Sequence, residues 1–302
     1  MTPSRAGDPR NYQIATLSGL LVYGMARLGF DIAPSRVLLL LAATLAAQTA
    51  CDYCLVAAPA HDFDRPRVNI RSALISALSL CLLLRTNRPE LAVAAAALTI
   101  GGKFLIRFRG KHIFNPTNGG LVAMLLLTDQ VWVSPGQWGA AAFFAFLIAC
   151  AGGLVVNRAS RSDVTYAFLA FYASLLFARS WYLGEPAAIP LHRLESGALL
   201  LFAFFMISDP RTTPDSRMGR VLFAGLVALG AWYVQFRMFR TNGLLWSLAF
   251  CSLAVPAIDW LLPGSKYAWS RTAAVPIREM CRVLFAHGES QSRFTMRLRS
   301  GA

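Results

Sequence analysis

The chain has 302 residues, 56% hydrophobic and only 15% charged, with a mean hydropathy of +0.50. Soluble domains are nearer a quarter charged and below half apolar, so a soluble enzyme, a disordered chain and a disulfide scaffold are excluded, and a polytopic membrane protein is expected. The 29 basic against 15 acidic residues, a formal +14, would suggest nucleic acid in a soluble chain; here they fit loops flanking membrane spans, and no nucleic-acid partner is expected.

Residues 1–13 are polar, contain Pro3 and Pro9, and read as a cytoplasmic N-terminal segment. No cationic start runs into an apolar core with a small-residue exit, so they do not read as a cleavable signal. A transmembrane domain follows over 14–262. At about 20 apolar residues per helix, ten spans are predicted, at 14–30, 36–57, 71–85, 89–106, 117–130, 138–157, 163–183, 194–208, 219–239 and 243–262. The third and fifth are short enough to be tilted, broken or re-entrant. The fold class expected is therefore all-α, with about ten transmembrane helices.

Counting Lys and Arg with the N-terminus inside puts 21 on the cytoplasmic side and 7 on the other, with Arg27 inside the first span. That bias predicts an even span number and both termini in the cytoplasm of a plasma-membrane protein. The tail, 263–302, is basic. Ile277, Met280, Cys281 and Leu284 fall on one helical face, which reads either as an interfacial helix on anionic lipid or as a solvated tail.

Two polar segments interrupt the apolar pattern. One runs from Gly101-Gly102-Lys103 to His112-Ile113-Phe114-Asn115-Pro116-Thr117-Asn118-Gly119-Gly120. The other runs from Ser196-Gly197-Ala198 through Ser208-Asp209-Pro210-Arg211-Thr212-Thr213 to Gly219-Arg220. Each sets Asn-Pro or Asp-Pro before an apolar helix, where Pro suits the first turn and the Asn or Asp oxygen caps free N–H groups. Two capped helix starts are one reading. The other is functional: a carboxylate such as Asp209 at the end of an apolar helix is costly unless paired, wet or used. Paired helix breaks, one in each half of the chain, are a transporter pattern. The candidate transport path is Asn115, Pro116, Thr117, Asn118, Ser196, Asp209, Pro210 and Thr213.

Of the other ionisable groups within spans, Arg27 reads as snorkelling to headgroups, and Asp52 and Asp259 sit near span ends, with Asp259 read as structural. Cys51-Asp52-Tyr53-Cys54 lacks the second pair or nearby His that a metal site needs, and no metal is expected. His61, His112, His192 and His287 lie in loops or the tail, and no nucleophile–base set or nucleotide loop is visible.

At the two polar segments the chain resembles the NqrB/RnfD family, the membrane subunits of sodium-translocating NADH:quinone reductase and of the Rnf complex. Lys103 with Ile113-Phe114-Asn115-Pro116 resembles one family segment. Ser196-Gly197-Ala198 with Ala203-Phe204-Phe205-Met206 and Asp209-Pro210, then Gly219-Arg220-Val221-Leu222-Phe223-Ala224-Gly225 and Pro256-x-Ile258-Asp259, resemble others. The run Phe108 to Pro116 and Val133 to Gly139 are similar to a compact branch linked to enediyne biosynthesis. The resemblance implies two five-helix repeats, redox-linked electron and ion transport, other subunits of a redox complex as partners, and flavin. Family members carry covalent FMN on a Thr in a long insertion between the fifth and sixth spans. Here that connection is about 129–137 without Ser-Gly-x-Thr; Ser196-Gly197-Ala198 matches the other, helix-forming copy of the motif, with Leu199 where relatives often have Thr. Covalent FMN is therefore not expected, and a non-covalent flavin stays open. The alternatives kept are a flavin-free permease or channel for a small solute, ion or natural product, and a membrane anchor for a biosynthetic enzyme.

Overall fold

The structure, a computed structural model, describes residues 8–30, 32–56, 69–133 and 142–267. The possible interfacial helix of the tail, residues 134–139 of the enediyne-like run, His61 and His287 lie outside the described residues. Pro9–Tyr267 is one compact unit.

Each of the ten apolar stretches contains helix among the described residues. They form α1 (Pro9–Arg27), α2 (Pro34–Val56), α3 (Ile70–Leu83), α4 (Pro89–Leu105), α5 (Pro116–Leu127), α6 (Ala142–Arg158) and α7 (Ser162–Leu183). After the short α8 (Ala188–Leu194) come α9 (Gly197–Leu201), continued by the π-helix Phe202–Met206, then α10 (Arg217–Phe236), α11 (Gly243–Ser252) and α12 (Val255–Leu261). Helix α1 begins at Pro9, inside the polar N-terminal segment. Two helices, Pro34–Cys54 and Arg217–Phe236, are long and apolar enough to cross a membrane. Two bent pairs, α8 with Gly197–Met206 (49°) and α11 with α12 (50°), qualify if each is one span.

Local chemistry sets the boundaries. Asn69 caps α3 by accepting from Ser72 N. Proline opens α4 and α5 at the first turn, where its missing N–H costs nothing. Helix α7 stops at Gly184 in the left-handed conformation (φ 67°). Pro256 at the start of α12 interrupts the single span expected over 243–262.

The expectation of helix alone is corrected in two places. Leu84–Thr86 (β1) pairs antiparallel with Val131–Val133 (β4), Arg85 opposite Trp132, tying the end of α3 to the end of α5. Arg107–Phe108 (β2) and Lys111–His112 (β3) form a hairpin. Its turn residues Arg109 and Gly110 both have positive φ, 51° and 81°, the turn whose twist matches that of a hairpin.

Helix α2 packs on α3 and α4, and α4 on α5; α10 packs on α7 and α11; α5 meets α11 between these groups. Close approach depends on small residues. Ala92, Ala95 and Ala96 of α4 are fully buried, and a Cβ on Gly120 of α5 would lie 3.0 Å from the Thr99 Cα of α4. Phe168, Phe202, Phe223 and Leu248 fill the core, while Leu38, Leu126, Leu127, Trp181, Tyr182 and Phe250 point outward, as helices in lipid require.

Candidate functional site

The two polar segments meet. Asn115 caps α5, its Oδ1 accepting from Asn118 N at 3.1 Å. Its Nδ2 donates to the Asp209 carboxylate at 3.2 Å and to the Met206 carbonyl at 3.4 Å. Pro116 occupies the first turn, and Thr117 and Asn118 are buried behind it. Asn118 Nδ2 donates to the Leu245 carbonyl of α11 at 3.2 Å, while its Oδ1 is buried without a partner among the described residues.

The carbonyl that Asn115 reaches belongs to the π-helix. A wider helical turn leaves backbone acceptors to be satisfied from outside. Thr165 Oγ1 donates to Ala203 O (2.8 Å), Ser208 Oγ to Phe204 O (2.6 Å) and Asn115 to Met206 O.

Asp209-Pro210 does not open a helix, which corrects the capped-start reading for this segment. Pro210 and Pro214 each disfavour helical conformation in the residue before them, so 209–216 stays a turn and α10 begins at Arg217 under a Ser216 cap. Asp209 Oδ1 instead accepts from Arg211 N at 3.0 Å. Thr213 Oγ1 donates to the Asp209 carbonyl (3.2 Å) and accepts from Arg161 Nε (3.2 Å).

Around this junction lie charges that sequence reasoning missed. Arg161 is 5% exposed and stacks 4.7 Å over the Tyr267 ring. Arg220 grips Asp163 through Nε and Nη2. Lys111 bridges Asp215 (2.9 Å) and Asp259 (2.8 Å), and Asp259 Oδ1 also accepts from Asp215 N at 2.7 Å. Asp259 is thus paired, in keeping with its structural reading. Asp52 is buried and accepts from Gln48 Nε2 and Asn69 N. The available signal was the Gly219-Arg220 pair; the salt-bridge partners of Arg220 and Lys111, 57 or more residues apart, had none. Burial first, then the cations Arg107, Arg211 and Lys103, push the hairpin imidazole of His112 down to about 4.

Ser196 lies apart from the Asn115–Asp209 pair. It opens α9 without a side-chain capping bond and lines a cavity of about 690 Å³. Met206 and Leu245, whose carbonyls accept from Asn115 and Asn118, line the same cavity, so it abuts the junction. Leu199, Phe202 and Leu244 give it apolar walls; Tyr172, His192, Arg193, Gln235 and Arg240 give it polar and cationic groups. The volume lies within the ~300–1,000 Å³ of small-molecule sites. An apolar slot beside two guanidiniums suits a planar ring carrying an anionic group, so the residues fit a flavin. Leu199 offers no oxygen for an ester.

Residues 126–267 match the model of the NQR2, RnfD, RnfE family. Three proteins named as subunits of an ion-translocating oxidoreductase complex are similar to this chain. That of Erwinia tasmaniensis is 30% identical over 158 residues, 50% of this chain and 39% of the relative. That of Pectobacterium carotovorum is 31% identical over 106 residues, 34% and 30%. That of Escherichia coli K12 is 30% identical over 132 residues, 44% and 33%. The chain thus spans well under half the length of the curated relatives it matches. Over residues 126–267, this chain is similar to the NQR2, RnfD, RnfE family.

Proposed function

We propose that the chain is a membrane subunit of an ion-translocating oxidoreductase complex. It crosses the inner (plasma) membrane ten times, with both termini cytoplasmic and its spans arranged as two five-helix repeats. The other redox subunits are its partners and a small ion is its cargo. The observation that carries this reading is the Asn115–Asp209 bond, which joins one polar helix break from each half of the chain. Asn115, Pro116, Thr117, Asn118, Asp209, Pro210 and Thr213 form the polar constriction on the ion path, and Ser196 opens the adjoining cavity.

Polar backbone at membrane depth persists where it lines protein or a wet cavity. Asn115 holds the Asp209 carboxylate from one side and the turn N–H of Arg211 from another, which leaves lone pairs for a cation. Arg161, through Thr213, fixes the backbone of Asp209. A flavin, held without a covalent bond, supplies one-electron chemistry when bound. Arg193 and Arg240 would hold its anionic end, and Leu199, Phe202 and Leu244 exclude water from its ring.

Stoichiometric flavin absorption in the purified protein, released by acid, is the expected result. A colourless protein that still moves solute in liposomes would favour the second reading, a flavin-free permease, for which the lack of Ser-Gly-x-Thr in the 129–137 connection speaks.

A further inference from the structure

A second buried polar cluster lies outside the matched segment, among α2, α3 and α4. Lys103 Nζ donates to Gln48 Oε1 and, at 2.8 Å, to Ser72 Oγ. Gln48 Nε2 donates to the Asp52 carboxylate at 2.7 Å, and Asp52 also accepts from Asn69 N at 3.0 Å. Lys103, Gln48 and Asp52 are 6%, 0% and 8% exposed. One helical turn from Lys103, Thr99 Oγ1 is fully buried and has no partner among the described residues. One turn from Gln48, Thr44 is also fully buried. Lys103, Gln48 and Asp52 therefore form a buried polar chain between α4 and α2, with Thr99 turned toward Gly120 of α5.

Composition singles out its cation. Only three of the 29 basic residues are Lys: Lys103, Lys111 and Lys266. The chain uses Arg almost everywhere, yet sets Lys at the most buried basic position described in this half. Arg stays protonated in proteins, whereas a buried Lys can give up its proton. An ammonium already fills the oxygens of Gln48 and Ser72, so charge enters or leaves this cluster most simply as a proton.

From this juxtaposition we propose that Lys103 is a proton-exchange site of the α2–α3–α4 layer, entered from Asp52. As a step in ion transport this rests on the reading above. One N–H bond of Lys103 breaks, one O–H bond forms on the Asp52 carboxylate or on water at its end, and no electron moves. The amine regains a proton when the cycle reverses. Gln48 is the positioning residue, its amide oriented by the ammonium on one side and the carboxylate on the other. The charged or titratable groups whose fields reach Lys103 are Asp52 and Cys51 of α2, Arg107 and His112 of the hairpin, and Asp209 and Arg211 of the turn.

The test is ¹⁵Nζ NMR of the full chain labelled at lysine, in nanodiscs. Three signals are expected; Lys111→Arg and Lys266→Arg assign two of them by loss and leave Lys103 native. The Lys103 signal should change charge state across a pH range in which the other two hold theirs, and Asp52→Asn should move that transition to lower pH. A Lys103 signal that never changes, or a transition indifferent to Asp52→Asn, overturns the proposal. A titrating Lys103 in a protein whose liposomes move no ion would defeat the transport reading alone. A silent Lys103 in a protein that does move ions would defeat this proposal alone.

Discussion

The Asn115 amide and the Asp209 carboxylate meet at 3.2 Å although 94 residues separate them. That bond connects the cap of α5 to the turn that follows the π-helix, so either partner reports on both.

Asn115→Ala removes the cap on Asn118 N and the bonds to Asp209 and Met206 together. Loss of a cap costs about 0.5–2 kcal/mol, and an orphaned buried carbonyl adds about 1–3 kcal/mol. A clear drop in melting temperature in detergent is expected, with Asn115→Ser in between because its hydroxyl keeps a capping oxygen without adding a charge. Unchanged melting for the Ala variant would contradict the junction.

Lys111 holds two carboxylates whose side chains are 10% and 20% exposed. Lys111→Met leaves both without their cation, at a cost of about 1–3 kcal/mol after allowing for partial exposure. Asp259→Asn in the Lys111→Met background should then cost less than in the native chain. A thermodynamic double-mutant cycle measures the difference; additive effects would show that Lys111 does not pair with Asp259.

His112 gives a pH dependence with a definite sign. Its folded value, about 4, lies below the ordinary 6.5, so below pH 6.5 the unfolded chain binds the extra proton. Stability is full above pH 6.5 and falls as pH drops toward 4, by a sum on the order of 2–3 kcal/mol. Urea or thermal melts over this window should show the slope, and His112→Gln should flatten it. A native slope that survives the substitution would place its origin elsewhere.

Much of this was legible in the sequence, because apolar length and proline position report helices directly. All ten apolar stretches contain helix among the described residues, and Asn115-Pro116 caps α5 as its residue types require. Asp209-Pro210 misled because the same kind of dipeptide before a second proline, Pro214, makes a turn. The β1–β4 ladder, the Lys111 bridge and the Arg220–Asp163 grip were hidden: each joins short or single residues far apart, with no periodicity to read. Lys103 stands in a recognisable motif, but its burial against Gln48 depends on how α2 packs on α4, which local pattern does not encode.

The most direct test of the junction's role is ion flux and redox coupling of the reconstituted Asp209→Asn protein, measured beside its melting temperature. The amide keeps an oxygen for Asn115 and Arg211 but loses the charge. At least a tenfold loss of coupled flux, about 1.4 kcal/mol, with melting nearly unchanged is the predicted result. Native flux in Asp209→Asn, or loss of flux only through unfolding, would mean that the two segments meet to build the fold and not to pass an ion.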